Sequence, residues 1–153
     1  MALDIREDDL TGDQVRTLLA FHLSEARTNT PAEFSFALDL SGLQTPDITV
    51  WTAWDGPDLA GVCALKTLGD GSGEVKSMRT DPGYLRRGVA RALLEHIIGE
   101  ARRRGMTRLS LETGTVAAYA PALALYRGMG FRDGETFADY KPSDFNQFLH
   151  LDL

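Results

Sequence analysis

Residues 74–113 restrict the architecture more than any other part of this 153-residue chain. GEVKSMRT reads as a strand and DPGYLRRG as a polar loop. Val89, Ala90, Leu93, Leu94, Ile97, Ile98 and Ala101 then recur at steps of three and four, the stripe of a helix laid on a sheet. Gly105 stops that helix, and Arg108 to Thr113 follows with Leu109 and Leu111 alternating against Ser110 and Glu112. Two strands joined through a helix lie parallel when they share a sheet, so the fold contains a parallel step.

The flanking segments supply the remaining elements. Thr11 with Gln14 three residues on is a capping-box pattern, and Val15, Leu18, Leu19 and Leu23 follow at helical spacing, which predicts a helix over about 12–24. Pro31 opens a short helix through AEFSFALDL that ends near Gly42. Ile48–Trp54 and Leu59–Leu68 form a hairpin across Asp55-Gly56-Pro57-Asp58, and the glycines of 69–73 turn the chain into the strand from Glu74. Pro121 suits the first turn of a helix that runs to about Met129 and stops at Gly130. Phe131 to about Phe137 and Gln147–Leu153 are closing strands around a Lys141–Asp144 loop. The expected fold is mixed α/β: a central, mostly antiparallel sheet of six or seven strands with one parallel step and about four helices. With no repeat or linker, residues 1–153 read as one domain.

Composition narrows the function. A net charge of −6 argues against a broad nucleic-acid or anionic-membrane surface. The charge is uneven, however. Residues 1–60 hold three Arg against eleven Asp and Glu, whereas residues 79–104 hold seven Arg against Asp81, Glu95 and Glu100, so an anionic ligand is expected at the middle of the chain. One cysteine, Cys63, excludes an internal disulfide and reads as a buried small hydrophobe. No Cys/His spacing suggests a metal site. The acidic N-terminus lacks a secretory pattern and no apolar run is long enough to span a membrane, so a cytoplasmic protein is expected. His22, His96 and His150 form no motif and read as structural or surface residues. Trp51 and Trp54, three apart on a strand, face opposite sides.

Chemistry concentrates where the strand ending at Thr80 passes through Arg86, Arg87, Gly88 and Ala90 into the helix. Unpaired N–H groups at a helix N-terminus attract phosphate, provided small residues let the backbone approach. In this setting Leu85-Arg86-Arg87-Gly88-Val89-Ala90 resembles the pyrophosphate loop of the Gcn5-related N-acetyltransferase (GNAT) superfamily: Gln or Arg, two residues, Gly, any residue, Gly or Ala. Gly88 and Ala90 match it, and Leu85 stands where the family has Gln or Arg. Ala122 to Phe131 is similar to the family's Ala-x-x-Leu-Tyr-x-x-x-Gly-Phe helix, with Tyr126 at the tyrosine that faces the acetyl-CoA thiol. Tyr119 stands where members often carry Asn. The order of elements along the whole chain is also similar, and GEVKSMRT, RRGVARALLEHII, RLSLETG and FADY resemble a YsnE-like bacterial branch.

The resemblance implies transfer of an acetyl group from acetyl-CoA to an amine by direct attack in a ternary complex, with no metal. It also makes a homodimer a reasonable expectation. It places Met78, Arg79, Thr80, Leu85, Arg86, Arg87, Gly88, Val89, Ala90, Arg91, Tyr119 and Tyr126 along the cofactor. A substrate ammonium must lose a proton before its nitrogen attacks, so a base is needed. Glu74, eleven residues before Leu85 as in the histone-acetylating relatives, and Glu112, on the polar face of the next strand, are rivals for it. Lys76 would depress the Glu74 pKa if the two touched. Tyr126 is the candidate acid for the leaving thiolate. Glu33, Phe34, Phe36, Glu112, Phe137 and Tyr140 are candidates for the acceptor site. Two alternatives stay open: a non-catalytic acyl-CoA-binding or sensing module, and an interaction domain whose arginine-rich helix meets an acidic partner.

Overall fold

The computed structural model describes residues 2–153. Seven strands, β1 Asp4–Asp8, β2 Ile48–Asp55, β3 Asp58–Thr67, β4 Gly73–Thr80, β5 Arg108–Gly114, β6 Arg132–Asp133 and β7 Asn146–Asp152, form one sheet in the order β1-β2-β3-β4-β5-β7-β6. All neighbours pair antiparallel except β4 and β5. The four α-helices are α1 Asp13–Asn29, α2 Leu40–Leu43, α3 Val89–Arg103 and α4 Ala120–Gly128. The mixed architecture and the parallel step through α3 are as the sequence predicts.

Each face of the sheet has its own apolar layer. The α3 stripe packs Val89, Leu93, Leu94, Ile97, Ile98 and Ala101 onto Trp51, Leu65, Val75, Leu109 and Leu111. On the other face, Val15, Leu18 and Leu19 of α1 cover Val50, Leu59, Val62 and Ala64. Trp51 belongs to the first layer and Trp54 to the second, on opposite faces as their spacing requires. Leu93 is fully buried in the α3 layer. Leu93→Ala is therefore expected to cost about 2–5 kcal/mol of stability, through lost transfer energy plus a cavity. A denaturant titration that returned a wild-type midpoint would contradict this packing.

Several local expectations are corrected. No capping box forms: Gly12 is the N-cap of α1, and the Thr11 hydroxyl donates to Asp9 Oδ1 at 2.6 Å. Gln14 instead pins the helix to the β2–β3 turn, donating to the Pro57 carbonyl and accepting from the Leu59 N–H. α1 runs to Asn29, past the expected end near residue 24. The expected helix over AEFSFALDL is a 3₁₀ turn at Ala32–Phe34, an extended stretch, and the short α2, started by Asp39 accepting from the Gly42 N–H at 2.8 Å. β1 carries no strand signal of its own in an acidic N-terminus. The strand expected from Phe131 shrinks to β6, because residues beyond it leave the sheet and fold Phe137 and Tyr140 back over Phe148 and His150.

Candidate active site

The site begins with a fault in the sheet. β3 and β4 pair as Ala64 with Lys76 and Val62 with Arg79, so Ser77 and Met78 together face the single residue Cys63. Ser77 takes a positive φ of 54° to make this bulge. On its other edge β4 meets β5 only at Gly73 with Leu109 and at Glu74 with Ser110. Beyond those pairs the strands part, and backbone groups of Val75–Thr80 and Leu111–Gly114 face a gap that an extended ligand can fill. The bulge and the splay open a cavity of about 650 Å³ between the sheet, α1, the 31–38 segment and the starts of α3 and α4.

One end of this cavity suits phosphate. Arg86 and Gly88 take positive φ values of 62° and 80°, which turns the loop so that the first N–H groups of α3 face outward. A Cβ built on Gly88 meets nothing within 4 Å, so the space before the helix is clear. Leu85, Arg86, Gly88, Val89, Ala90 and Arg91 all line the cavity. The cradle is made from backbone and small residues, with two guanidinium groups for charge.

At the other end, titratable groups gather on the α1 face of the sheet. Glu74 is buried and its Oε2 accepts both from the Tyr140 hydroxyl at 2.5 Å and from the Lys76 ammonium at 3.1 Å. Lys76 also donates to the Tyr140 oxygen at 2.8 Å, which closes a three-membered cluster. Burial pushes the Tyr140 hydroxyl well above its ordinary value, and the Glu74 carboxylate adds to the rise. Glu112 is free of this clamp. Burial pushes its carboxyl up to about 7, with the Lys76 charge opposing and the Glu74 charge adding. A carboxylate that titrates near neutral pH on a cavity wall is suited to take a proton.

Tyr126 of α4 lines the cavity between the two ends, 6% exposed, with its ring tilted against Phe131 at 5.8 Å. Burial raises its hydroxyl above the ordinary tyrosine value, a rise that Cys63 reinforces and Arg79 opposes. The hydroxyl therefore keeps its proton across the working range and is a hydrogen-bond donor. No described residue bonds it. Tyr119 shares a hydrogen bond with the Thr30 hydroxyl at 3.1 Å. Its ring lies so tightly on Gly114 that a Cβ there would stand 2.1 Å from ring carbon Cε2. Gly114 is required for that approach.

Most residues singled out in the sequence therefore meet in one place: Glu74, Met78, Arg79, Thr80, Leu85, Arg86, Gly88, Val89, Ala90, Arg91, Glu112, Tyr119, Tyr126, Phe34 and Phe36 line the cavity. Four others do not. Arg87 turns away, its guanidinium 5.4 Å from the Tyr84 ring. Glu33 is exposed on the 3₁₀ turn. Phe137 is held in an aromatic cluster with Tyr140, Phe148 and His150. Tyr140 stands behind the wall, touching it through Glu74 and Lys76 and through the edge of the Phe36 ring at 5.2 Å. Lys76 does touch Glu74, as the strand spacing allows. His22, expected to be a structural or surface residue, lines the cavity and accepts from Arg79 Nε at 3.0 Å. Nothing in the sequence marks it, because its partner lies 57 positions away. His150 is structural, with Nδ1 shared with Ser110 and Nε2 with the Glu135 carbonyl. Burial pushes the Cys63 thiol up to about 12, which keeps it inert.

Comparison with known proteins gives one consistent result. The profile of the acetyltransferase (GNAT) family matches residues 14–131. The chain is 51% identical over 147 residues to the uncharacterized N-acetyltransferase YsnE of Bacillus subtilis strain 168, covering 96% of this chain and 97% of the relative. In three dimensions it is similar to a Klebsiella pneumoniae protein inferred to be an acyl-CoA N-acyltransferase, with a TM-score of 0.83, 26% identity and coverage of 99% and 97% of the two chains. It also shares its fold with a Bacillus subtilis acetyltransferase solved in complex with CoA, at a TM-score of 0.74, 22% identity and coverage of 99% of each chain.

Proposed function

The chain belongs to the acetyltransferase (GNAT) family, in the branch that contains YsnE, and is an acyltransferase; from that premise we propose that it transfers an acetyl group from acetyl-CoA to the amine of a small molecule or peptide by direct attack in a ternary complex. The observation that carries this reading is the continuity of the cavity, from the phosphate-suited start of α3 at Gly88 to the neutral-titrating carboxyl of Glu112.

The residues present fit acetyl-CoA. The α3 N-terminus with Gly88, Ala90, Arg86 and Arg91 suits the pyrophosphate, and the free backbone of Met78, Arg79 and Thr80 suits the pantetheine arm as an added strand. The bound thioester supplies the acetyl group. Glu112 accepts the proton of the incoming ammonium, directly or through water, since a base with a pKa near 7 is half ionised at neutral pH. A backbone N–H in the bulged part of β4 stabilises the negative charge that develops on the acyl oxygen. Tyr126 donates to the sulfur as it leaves. Its raised pKa makes full proton transfer to a thiolate of pKa about 8.5 unfavourable, so its contribution is a hydrogen bond, and the sulfur takes up the second proton that the nitrogen releases as the C–N bond forms and the C–S bond breaks. Glu74, clamped by Lys76 and Tyr140, fixes the electrostatics around Glu112 and leaves the proton transfer to it.

Acetyl-CoA titration by calorimetry, followed by thiol release with a panel of amines, tests the reading. Binding with turnover supports it. Absence of binding by folded protein overturns it, and binding without turnover on any amine returns the chain to an acyl-CoA-sensing role. Tyr126→Phe is expected to lower kcat by about tenfold to a hundredfold at unchanged acetyl-CoA affinity, the range of a hydrogen bond to a charged group. Unchanged kcat would remove Tyr126 from the chemistry.

A further inference from the structure

Charge at the acceptor end is incompletely balanced, and the imbalance identifies what the acceptor carries. On β4 and β5 the side chains of Glu74, Lys76, Arg79, Ser110 and Glu112 share the α1 face, because Lys76 and Arg79 pair with Ala64 and Val62 of the α1 layer. Two of these are cations. Lys76 is consumed by Glu74 at 3.1 Å, with the pair's side chains 10% and 3% exposed. Arg79 has no such partner: among the described residues no carboxylate lies within the 4.0 Å of an ion pair. Glu25, one turn beyond His22 on α1, shares the cavity and favours the Arg79 charge from farther away.

The arginine is nevertheless held in place. Its Nε donates to His22 Nδ1 at 3.0 Å, and its guanidinium carbon lies 5.5 Å from the centre of the Phe21 ring. Burial, reinforced by the Arg79 charge, pulls the His22 pKa down to about 4, so the imidazole is neutral and keeps accepting at Nδ1. With the Nε edge occupied, the fork formed by the two Nη groups is free. Neither Nη has a hydrogen-bond partner among the described residues, and Arg79 lines the cavity. A positioned guanidinium fork matches a carboxylate bidentately, a geometry that lysine does not reproduce. The phosphates of the donor have their own cradle around Gly88, with Arg86 and Arg91 beside it.

Resting on the acetyltransferase reading above, we propose that the acceptor is a small amine that also bears a carboxylate, with Arg79 binding the carboxylate while Glu112 receives the ammonium. Arg79 on β4 and Glu112 on β5 line the same cavity, on the two sides of the gap where those strands part, which sets a carboxylate-binding group and an ammonium-receiving group around one ligand space. His22 is the positioning residue, holding the guanidinium so that its fork faces the ligand.

The experiment compares kcat/KM, by thiol release, for free amino acids, their α-amides and the corresponding decarboxylated amines, in wild type, Arg79→Gln and Arg79→Lys. Wild type is expected to prefer the carboxylate-bearing acceptor by about tenfold to a hundredfold, the range of a hydrogen-bonded charge. Arg79→Gln should erase the preference, and Arg79→Lys should recover only part of it. Acetyl-CoA affinity, read by calorimetry in the same variants, should hold, since the backbone and not the side chain of Arg79 faces the pantetheine arm in this reading. Equal use of the amides by wild type overturns the proposal. So does failure of every carboxylate-bearing amine with a protein that binds acetyl-CoA. Loss of acetyl-CoA binding in Arg79→Gln would assign the side chain to the donor and overturn it too. Failure of wild type to bind acetyl-CoA would strike the acetyltransferase reading itself, a result separate from all of these.

Discussion

Gly88→Glu is expected to abolish measurable acetyl-CoA binding, with affinity reduced more than a hundredfold, while the protein stays folded. Two effects act together. The new carboxylate sits where the α3 N–H groups and Arg86 await an anion, so it repels the pyrophosphate and competes for the same donors. It also forces a side chain onto a backbone with φ of 80°, at a cost of about 1–2 kcal/mol. The strain alone is modest, because a Cβ at this position meets no neighbour within 4 Å. At about 2–4 °C of melting temperature per kcal/mol, a thermal scan will show whether the variant is folded. Gly88→Ala carries the strain without the charge, so it separates the two effects and should bind with only a moderate loss. If Gly88→Glu binds acetyl-CoA as wild type does, the cradle at α3 is not the phosphate site.

The parts of the molecule legible in the sequence are those whose signal is local. The stripe of α3, the alternation of β5 and the turn at Asp55–Asp58 each need only a short window, and all three are found where the sequence places them. The loop before α3 is legible for the same reason, since a glycine that ends a polar loop before an apolar stripe is a contiguous pattern. Elements held by distant partners are not. β1 is charged at four of its five positions, and only its pairing with β2 makes DIRED a strand. Phe137 and Tyr140 leave the expected closing strand because Phe148 and His150 offer an aromatic surface that the sequence order does not reveal. In the site, the choice between Glu74 and Glu112 cannot be read from spacing. It depends on the Tyr140 hydroxyl, 66 residues from Glu74, and on which of the two carboxylates is left without a clamp. The grip of His22 on Arg79 is equally invisible in one dimension. Chemistry-bearing residue types are legible, but their division of labour is not.

Glu112→Gln is expected to lower kcat/KM by about a hundredfold to ten-thousandfold, the usual contribution of a positioned base, and to remove the acid limb of the pH profile. In wild type that limb should have its midpoint near the Glu112 value of about 7 in the free enzyme, with activity rising as pH increases because the ionised form is the base. Stability should run the other way. Burial raises the folded pKa of Glu112 above its ordinary value of 4.5, so its protonated form is favoured by folding; the contribution is fully present below about 4.5 and is lost as pH climbs through about 7. The amide introduced by Glu112→Gln stays neutral throughout, so the variant should match wild type at low pH and melt at a higher temperature at pH 8. A catalytic group kept at a cost in stability has this pair of signatures, slower and more stable when replaced. Glu74→Gln should differ on both counts. It removes the partner of the buried Lys76 ammonium and of the Tyr140 hydroxyl, so it should destabilise the protein by about 3–5 kcal/mol and shift the acid limb rather than remove it. An acid limb that survives in Glu112→Gln and vanishes in a folded Glu74→Gln would exchange the two roles.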